Sequence, residues 1–437
     1  MITAIITTVT FLSTFFAVFH LICSSKHKRE PVMNVKNQLG FSLIIPCYNE
    51  ERILPSTIAG LLNLDYGNFE VIFVNDGSTD QTGKVLNDML NITPYYGDRI
   101  VAGGLVYQSK KHPNFFVIEK SNSGKAASLN KGIQASSKEL IVTMDCDCIL
   151  ERDALKVINQ TFQDQEVIAA GGVVHVMQYF LLNRKRKSII DMQTLDYFKG
   201  FYIYKSSLAY NGALNIISGA FGVFRKDALL AVGGFRDGLG EDIDITIRLQ
   251  EYALRQNKVI TYNLGAVCYT ECPETWRDLC KQRVRWQKAF LDAIIKNWRF
   301  LLKNLLKSNM CFLMIVDAAF SGTVAVISFL FNFLLMVLRS YYGYPLFFII
   351  VTFLAVIFNV ISALVAIRRA REHQLSLTRQ QRQKTDISVR SLLASIVIDI
   401  VCFSFLRIYY FVKGSISFAL NQKSWDKVER TTNFYKV

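Results

Sequence analysis

No internal repeat and no low-complexity tract runs through these 437 residues, which excludes a solenoid array or a biased, unstructured polymer. The nine cysteines show no metal-ligand spacing, and Cys268, Cys272 and Cys280 have no histidine nearby. A zinc module is therefore excluded and reduced thiols are expected. Positive charge is missing ahead of the first apolar run; the basic cluster Lys26, His27, Lys28 and Arg29 follows it instead. That is the reverse of a cleaved secretory signal, so an uncleaved anchor is expected. Asn122-Ser123-Gly124-Lys125 looks like the end of a phosphate-binding loop, but Glu119 occupies the place of the first Walker A glycine. An ATPase of that type is excluded.

The chain does hold much apolar surface. It is 51% hydrophobic and 13% aromatic, with mean hydropathy +0.24, which implies one globular domain joined to membrane segments. Four apolar runs, 2–22, 311–338, 345–367 and 391–412, reach the roughly 20 residues needed to cross a bilayer. The expected organisation is an anchor over 1–25, a cytoplasmic domain over 41–289, an interfacial helix over 290–308 with Trp298 at headgroup depth, and a membrane region with three spans over 309–437. Basic residues at 26–29, 296–307 and 368–384 place the globular domain on the cytoplasmic side of the cell (inner) membrane. Lys413, Lys423, Lys427 and Arg430 work against an external C-terminus. The net charge of +15 lies mostly beside these runs, so the expected charged partner is the lipid bilayer and not nucleic acid.

Within the globular part, apolar runs Phe41 to Ile45, Phe69 to Asn75, Phe115 to Ile118 and Leu140 to Met144 alternate with helical stretches near 50–63, 79–90 and 125–136. This predicts an α/β, doubly wound sheet built from βαβ units, with 91–113 as a surface insertion. Ligands in such sheets sit at the carboxyl ends of strands. Pro46, Tyr48 and Glu50 follow the first strand, Asp76 ends the second, and Asp145 and Asp147 follow the fourth.

Asp145 and Asp147, one residue apart at a predicted strand end, would share a face and offer two hard oxygen ligands to Mg2+ or Mn2+, completed by substrate phosphates. Asp76 either accepts from a nucleoside or closes an Asx-turn. Lys125 at a helix start suits a diphosphate, or is a solvated surface lysine. Asp242, after Gly240-Glu241, is either a general base or a favourable first-turn acid. Gln282, Arg285 and Trp286 either meet pyrophosphate and sugar or form a basic interfacial segment. Asp317, Asp399 and Arg407, set within apolar runs, are either channel-lining or paired with protein groups.

The set of motifs decides between these readings. Phe41 to Asp80, Asn122 to Asp147, Ser218-Gly219-Ala220-Phe221-Gly222, Gly240-Glu241-Asp242 and Gln282 to Trp286 resemble, in order and spacing, the processive family 2 glycosyltransferases. These include cellulose, chitin, hyaluronan and poly-N-acetylglucosamine synthases. The resemblance implies a GT-A-like mixed sheet, with Asp76 and Asp145 on the nucleotide, Asp147 on the metal and Asp242 as base beside Glu241. It also implies Gln282, Arg285 and Trp286 at the diphosphate and acceptor end, with Phe221 bordering the acceptor. Gly240 stands where Thr is frequent and Ala289 where Gly is frequent. The implied activity is inverting transfer from a UDP-sugar, with a lean towards UDP-N-acetylglucosamine, to a growing polysaccharide, with accessory export or regulatory subunits as further partners. The alternatives are transfer of one sugar to a polyprenyl phosphate or other lipid-linked acceptor, and an inactive binding partner.

Overall fold

The computed structural model describes residues 15–30, 35–181, 187–318, 345–376, 389–399 and 404–420. The part of the sheet domain that precedes residue 91 folds as its apolar runs predict. Strand β1 (Phe41–Cys47) leads through helix α1 (Leu54–Leu62) to β2 (Phe69–Asp76), and α2 (Thr82–Leu90) follows. The two strands pair in parallel, and both are buried along nearly their whole length, which is why they read as unbroken hydrophobic runs without alternation.

The 91–113 segment is not a structureless insertion. It contains β3 (Ile92–Pro94) and β4 (Gly104–Ser109), which pair antiparallel and extend the sheet beyond β5 (Phe115–Lys120). These edge strands are only three and six residues long, so they carry little of the apolar signal of a central strand. Helix α3 (Lys125–Ala135) then leads to β6 (Leu140–Thr143), which pairs with β1 on the side away from β2. The chain therefore reverses direction at β1, and a crevice opens at the carboxyl ends of β1 and β6.

The second half completes a mixed sheet of ten strands in the order β3-β4-β5-β2-β1-β6-β9-β8-β10-β7. Its members are β7 (Cys148–Leu150), β8 (Val167–Val176), β9 (Gly222–Arg225) and β10 (Val259–Thr270), with α4 (Ala154–Thr161) between β7 and β8. Helix α5 (Ser188–Lys199) continues through a π-helical stretch, Gly200–Lys205, into Ser206–Tyr210. Helix α6 (Glu241–Gln256) precedes β10.

Helix α7 (Trp276–Lys296) starts at Thr275, whose hydroxyl accepts from the Asp278 N–H, and it runs through Gln282–Trp286. The expected boundary at 289 thus falls inside this helix. A short helix, Trp298–Lys303, follows with Trp298 half exposed.

The C-terminal part contributes α8 (Asn309–Asp317), α9 (Pro345–Ser376), α10 (Val389–Ile398) and α11 (Ser404–Ala419). Among the described residues no helix is long and apolar enough to cross a membrane. Much of the four apolar runs, including 2–14 and 319–338, lies outside the described residues.

Acidic and basic groups in these runs are paired with protein groups. Tyr204 donates to Asp317 at 2.5 Å, with His20 3.5 Å away, and Asp399 lies 2.7 Å from Lys199 and 3.3 Å from Arg407. Pairing of this kind offsets the desolvation of a charge held among apolar side chains.

Candidate active site

Three chain segments bring charge together at the crevice. Lys125, the first residue of α3, places Nζ 2.6 Å from Asp145 Oδ1 and 2.7 Å from Glu241 Oε1. Burial works against the ammonium, but the two carboxylates outweigh it and hold the Lys125 pKa well above its ordinary value.

Asp242, next to Glu241 in the first turn of α6, receives the Gly219 N–H at 3.3 Å and the Ile243 N–H at 2.9 Å. Burial and the neighbouring Glu241 push its carboxyl up to about 6, against the opposing pull of Lys125 and the two amides. A carboxylate tuned towards neutrality suits proton abstraction from a hydroxyl. Lys125, Gly219, Glu241 and Asp242 line a small cleft whose walls include Leu129, Ile217, Phe224, Phe235 and Ile245.

Asp145 and Asp147 do not lie on a strand. β6 ends at Thr143, and both residues belong to the tight turn before β7, which the Cys148 N–H closes onto the Asp145 carbonyl at 3.1 Å. Strand alternation therefore does not orient them. The turn itself does, burying Cys146 and Cys148 and leaving the two carboxylates partly exposed. Thr57 of α1 pins the turn by donating to the Cys146 carbonyl. Among the described residues no group of three or more His, Cys, Asp and Glu side chains is arranged to hold a metal. Two carboxylates at an open crevice still fit a magnesium-type ion, which takes one or two carboxylates and fills its remaining positions with phosphate and water.

Asp76 is buried, accepts the Ser123 and Gly124 N–H groups at 2.9 Å each, and pairs with Lys120. It holds the loop that presents Lys125. Gly77 allows that approach: its φ is +65°, and a Cβ there would come within 2.7 Å of the Asn122 nitrogen. Pro46, expected after the first strand, lies partly buried within β1 one residue before its end, Tyr48 is exposed, and the Glu50 N–H donates to Thr82 Oγ1 at 2.8 Å. These residues share the crevice edge with Asp76, as their positions at strand ends require.

Phe221 is fully buried and stacked so tightly on β8 that a Cβ on Gly172 would meet its ring at 2.4 Å. Its side chain belongs to the core, and the Gly219 amide is the part of this loop that reaches the cleft. On α7, Arg285 is partly exposed and Trp286 more so, and the Gln282 Oε1 is buried with no hydrogen-bond partner among the described residues.

Lys205 lies in the π-helical stretch, with its ammonium over the Phe201 ring. Burial pushes its ammonium down to about 8, and the Asp242 charge offsets part of that fall.

Residues 140–361, just over half of the 437, match the family described as Glycosyl transferase family group 2, and residues 42–233 match Glycosyl transferase family 2. The chain belongs to the family 2 glycosyltransferases. The glycosyltransferase is 30% identical over 274 residues to poly-beta-1,6-N-acetyl-D-glucosamine synthase of Staphylococcus aureus strain COL, covering 62% of this chain and 59% of that protein. It is also 30% identical over 261 residues to the synthase of the same name from Staphylococcus epidermidis, covering 59% of this chain and 56% of the relative.

Among solved structures, the mannosyltransferase PcManGT from Pyrobaculum calidifontis, in complex with GDP-Man and Mn2+, aligns over 97% of this chain and 100% of its own. The TM-score is 0.58 at 14% identity, a likeness of fold that makes the mixed sheet of this glycosyltransferase GT-A-like.

Proposed function

We propose that this glycosyltransferase is an inverting membrane enzyme that passes N-acetylglucosamine from UDP-N-acetylglucosamine to the end of a growing β-linked polysaccharide. Its catalytic domain would face the cytoplasm of a multi-pass cell-membrane protein, with transfer coupled to export. The observation that carries this reading is the meeting of Lys125 with Asp145 and Glu241 beside the cleft that Lys125, Glu241 and Asp242 line. Similarity to two poly-beta-1,6-N-acetyl-D-glucosamine synthases supports the choice of sugar and polymer.

In this mechanism Asp242 takes the proton of the acceptor hydroxyl as its oxygen attacks the anomeric carbon. The Lys125 ammonium exchanges its contacts with Asp145 and Glu241 for the departing diphosphate and offsets the negative charge gathering there. Inversion follows from a single displacement, so no enzyme nucleophile is required. Asp145 and Asp147 would hold Mg2+ or Mn2+, which supplies further charge stabilisation to the diphosphate. Arg285 offers donors to the diphosphate, and the Gln282 oxygen, which has no partner among the described residues, and the exposed Trp286 offer an acceptor and a stacking face to the sugar.

The deciding experiment incubates purified full-length protein in detergent with Mg2+ or Mn2+ and a panel of UDP-sugars, following UDP release and product size. A long polymer from UDP-N-acetylglucosamine is expected. A product of one sugar on lipid would replace polymerisation with single-sugar transfer, and release from none of the donors would overturn the reading.

A further inference from the structure

A chain of alternating charges runs between α7 and the C-terminal helices. It begins at Arg283, whose guanidinium lies over the Trp286 ring, 4.3 Å from its centroid. Arg283 pairs with Asp196 of α5 at 2.9 Å, and the other Asp196 oxygen lies 3.8 Å from Arg407 of α11. Arg407 reaches Asp399 at 3.3 Å, and Asp399 ends the series on Lys199 of α5 at 2.7 Å. Asp196 is the one carboxylate in this series that touches both α7 and α11.

The two helices are also in close packing. A Cβ on Gly414 of α11 would lie 2.7 Å from Cβ and Cγ of Gln287 and 3.2 Å from the Val284 carbonyl oxygen. Gln287 donates to the Ser415 hydroxyl at 3.4 Å. The turn of α7 that carries Trp286 therefore rests directly on α11. Tyr197, next to Asp196, approaches the same indole, with ring centroids 6.5 Å apart.

We propose that Asp196 is a positioning residue for elongation. It orients Arg283 between Trp286 and α11, and so sets the angle at which the indole meets the acceptor sugar. The inference rests on the reading of this enzyme as a polymer synthase with Trp286 at the acceptor. Asp196 touches no reacting atom. Its removal alters how long the acceptor is kept, while the donor cluster of Lys125, Asp145, Glu241 and Asp242 stays as it is. A guanidinium over an indole is drawn to the ring face, and the Asp196 carboxylate, 2.9 Å from Arg283 Nη2, holds that charge in place by ion pairing.

The test uses full-length protein with Asp196→Asn, Asp196→Glu and Arg407→Gln, measuring product length, donor hydrolysis to water and UDP binding. Asp196→Asn is expected to shorten the product several-fold while hydrolysis and UDP binding stay near wild type. Asp196→Glu should restore most of the length. Arg407→Gln, which breaks the series from the α11 side, should also shorten the product.

Wild-type length in Asp196→Asn, or equal loss of length and hydrolysis in a variant that still binds UDP, overturns the proposal. If Asp196→Asn no longer binds UDP it has failed to fold, and Arg407→Gln decides by the same criteria. A wild-type protein that makes no polymer removes the parent reading and this proposal together. A polymer-making wild type with indifferent variants removes only the role of Asp196.

Discussion

Gly240 and Ala289 face each other where the catalytic helix α6 begins against α7. A Cβ built on Gly240 would lie 2.9 Å from the Ala289 Cβ and 3.0 Å from its carbonyl oxygen. The two positions that depart from the usual family pattern, Gly for Thr and Ala for Gly, thus form a single complementary exchange. Asp292, one turn further along α7, accepts the Leu239 N–H at 3.1 Å and holds the same loop. The contact sets the distance between Asp242 and the helix that carries Gln282, Arg285 and Trp286.

Gly240→Thr should therefore overpack this contact, lowering stability by about 1–3 kcal/mol and reducing transfer. Ala289→Gly in the same chain should recover most of the loss. Thermal unfolding of the two single variants and the double variant measures the coupling. Additive effects would show that the two positions act independently.

Asp242→Asn should lower transfer by about 10²–10⁴-fold, the usual contribution of a general base, with UDP binding nearly unchanged. Transfer assayed beside calorimetric UDP binding checks both halves. Survival of transfer would assign the base to another group.

The raised carboxyl of Asp242 gives the pH dependence a definite sign. Below its pKa of about 6 the group is protonated and cannot accept the hydroxyl proton, so kcat/KM should rise with pH and level off above that value. A flat profile from pH 5 to 8 would contradict the assignment.

Lys125→Gln should lower transfer by about 10²–10³-fold, as for loss of one charge-stabilising donor. It should also move the acid limb to higher pH, because the Lys125 charge holds the Asp242 pKa down. Pre-steady-state and pH-rate measurements on the variant test the two effects separately.

Trp286→Ala should reduce chain elongation more than donor hydrolysis, since stacking on sugar contributes to acceptor retention. Sizing the product at matched UDP release checks this. Equal loss of both would place the indole outside the acceptor path.

Much of the donor half was legible in sequence because its signals are local. β1, β2, β5 and β6 are continuous apolar runs, since parallel central strands are buried on both faces. The polar residues that follow them had to gather at one edge because parallel strands end together. The position of Lys125 at a helix start and of Glu241 and Asp242 in a first turn could likewise be read from neighbouring residues.

Tertiary structure alone decided the rest. Lys125 meets Glu241 only because β9 and α6 return across the sheet, and no periodicity records such a closure. Asp145 and Asp147 keep their exposure through a turn pinned by Thr57, not through strand alternation. Phe221, part of a family motif, is drawn into the core because Gly172 leaves room for its ring. The pairing of Gly240 with Ala289, and of Asp196 with Arg283 and Arg407, depends on how helices distant in sequence settle against one another. Packing energy and ion pairing act on spatial neighbours, whereas sequence pattern reports on residues a few positions apart.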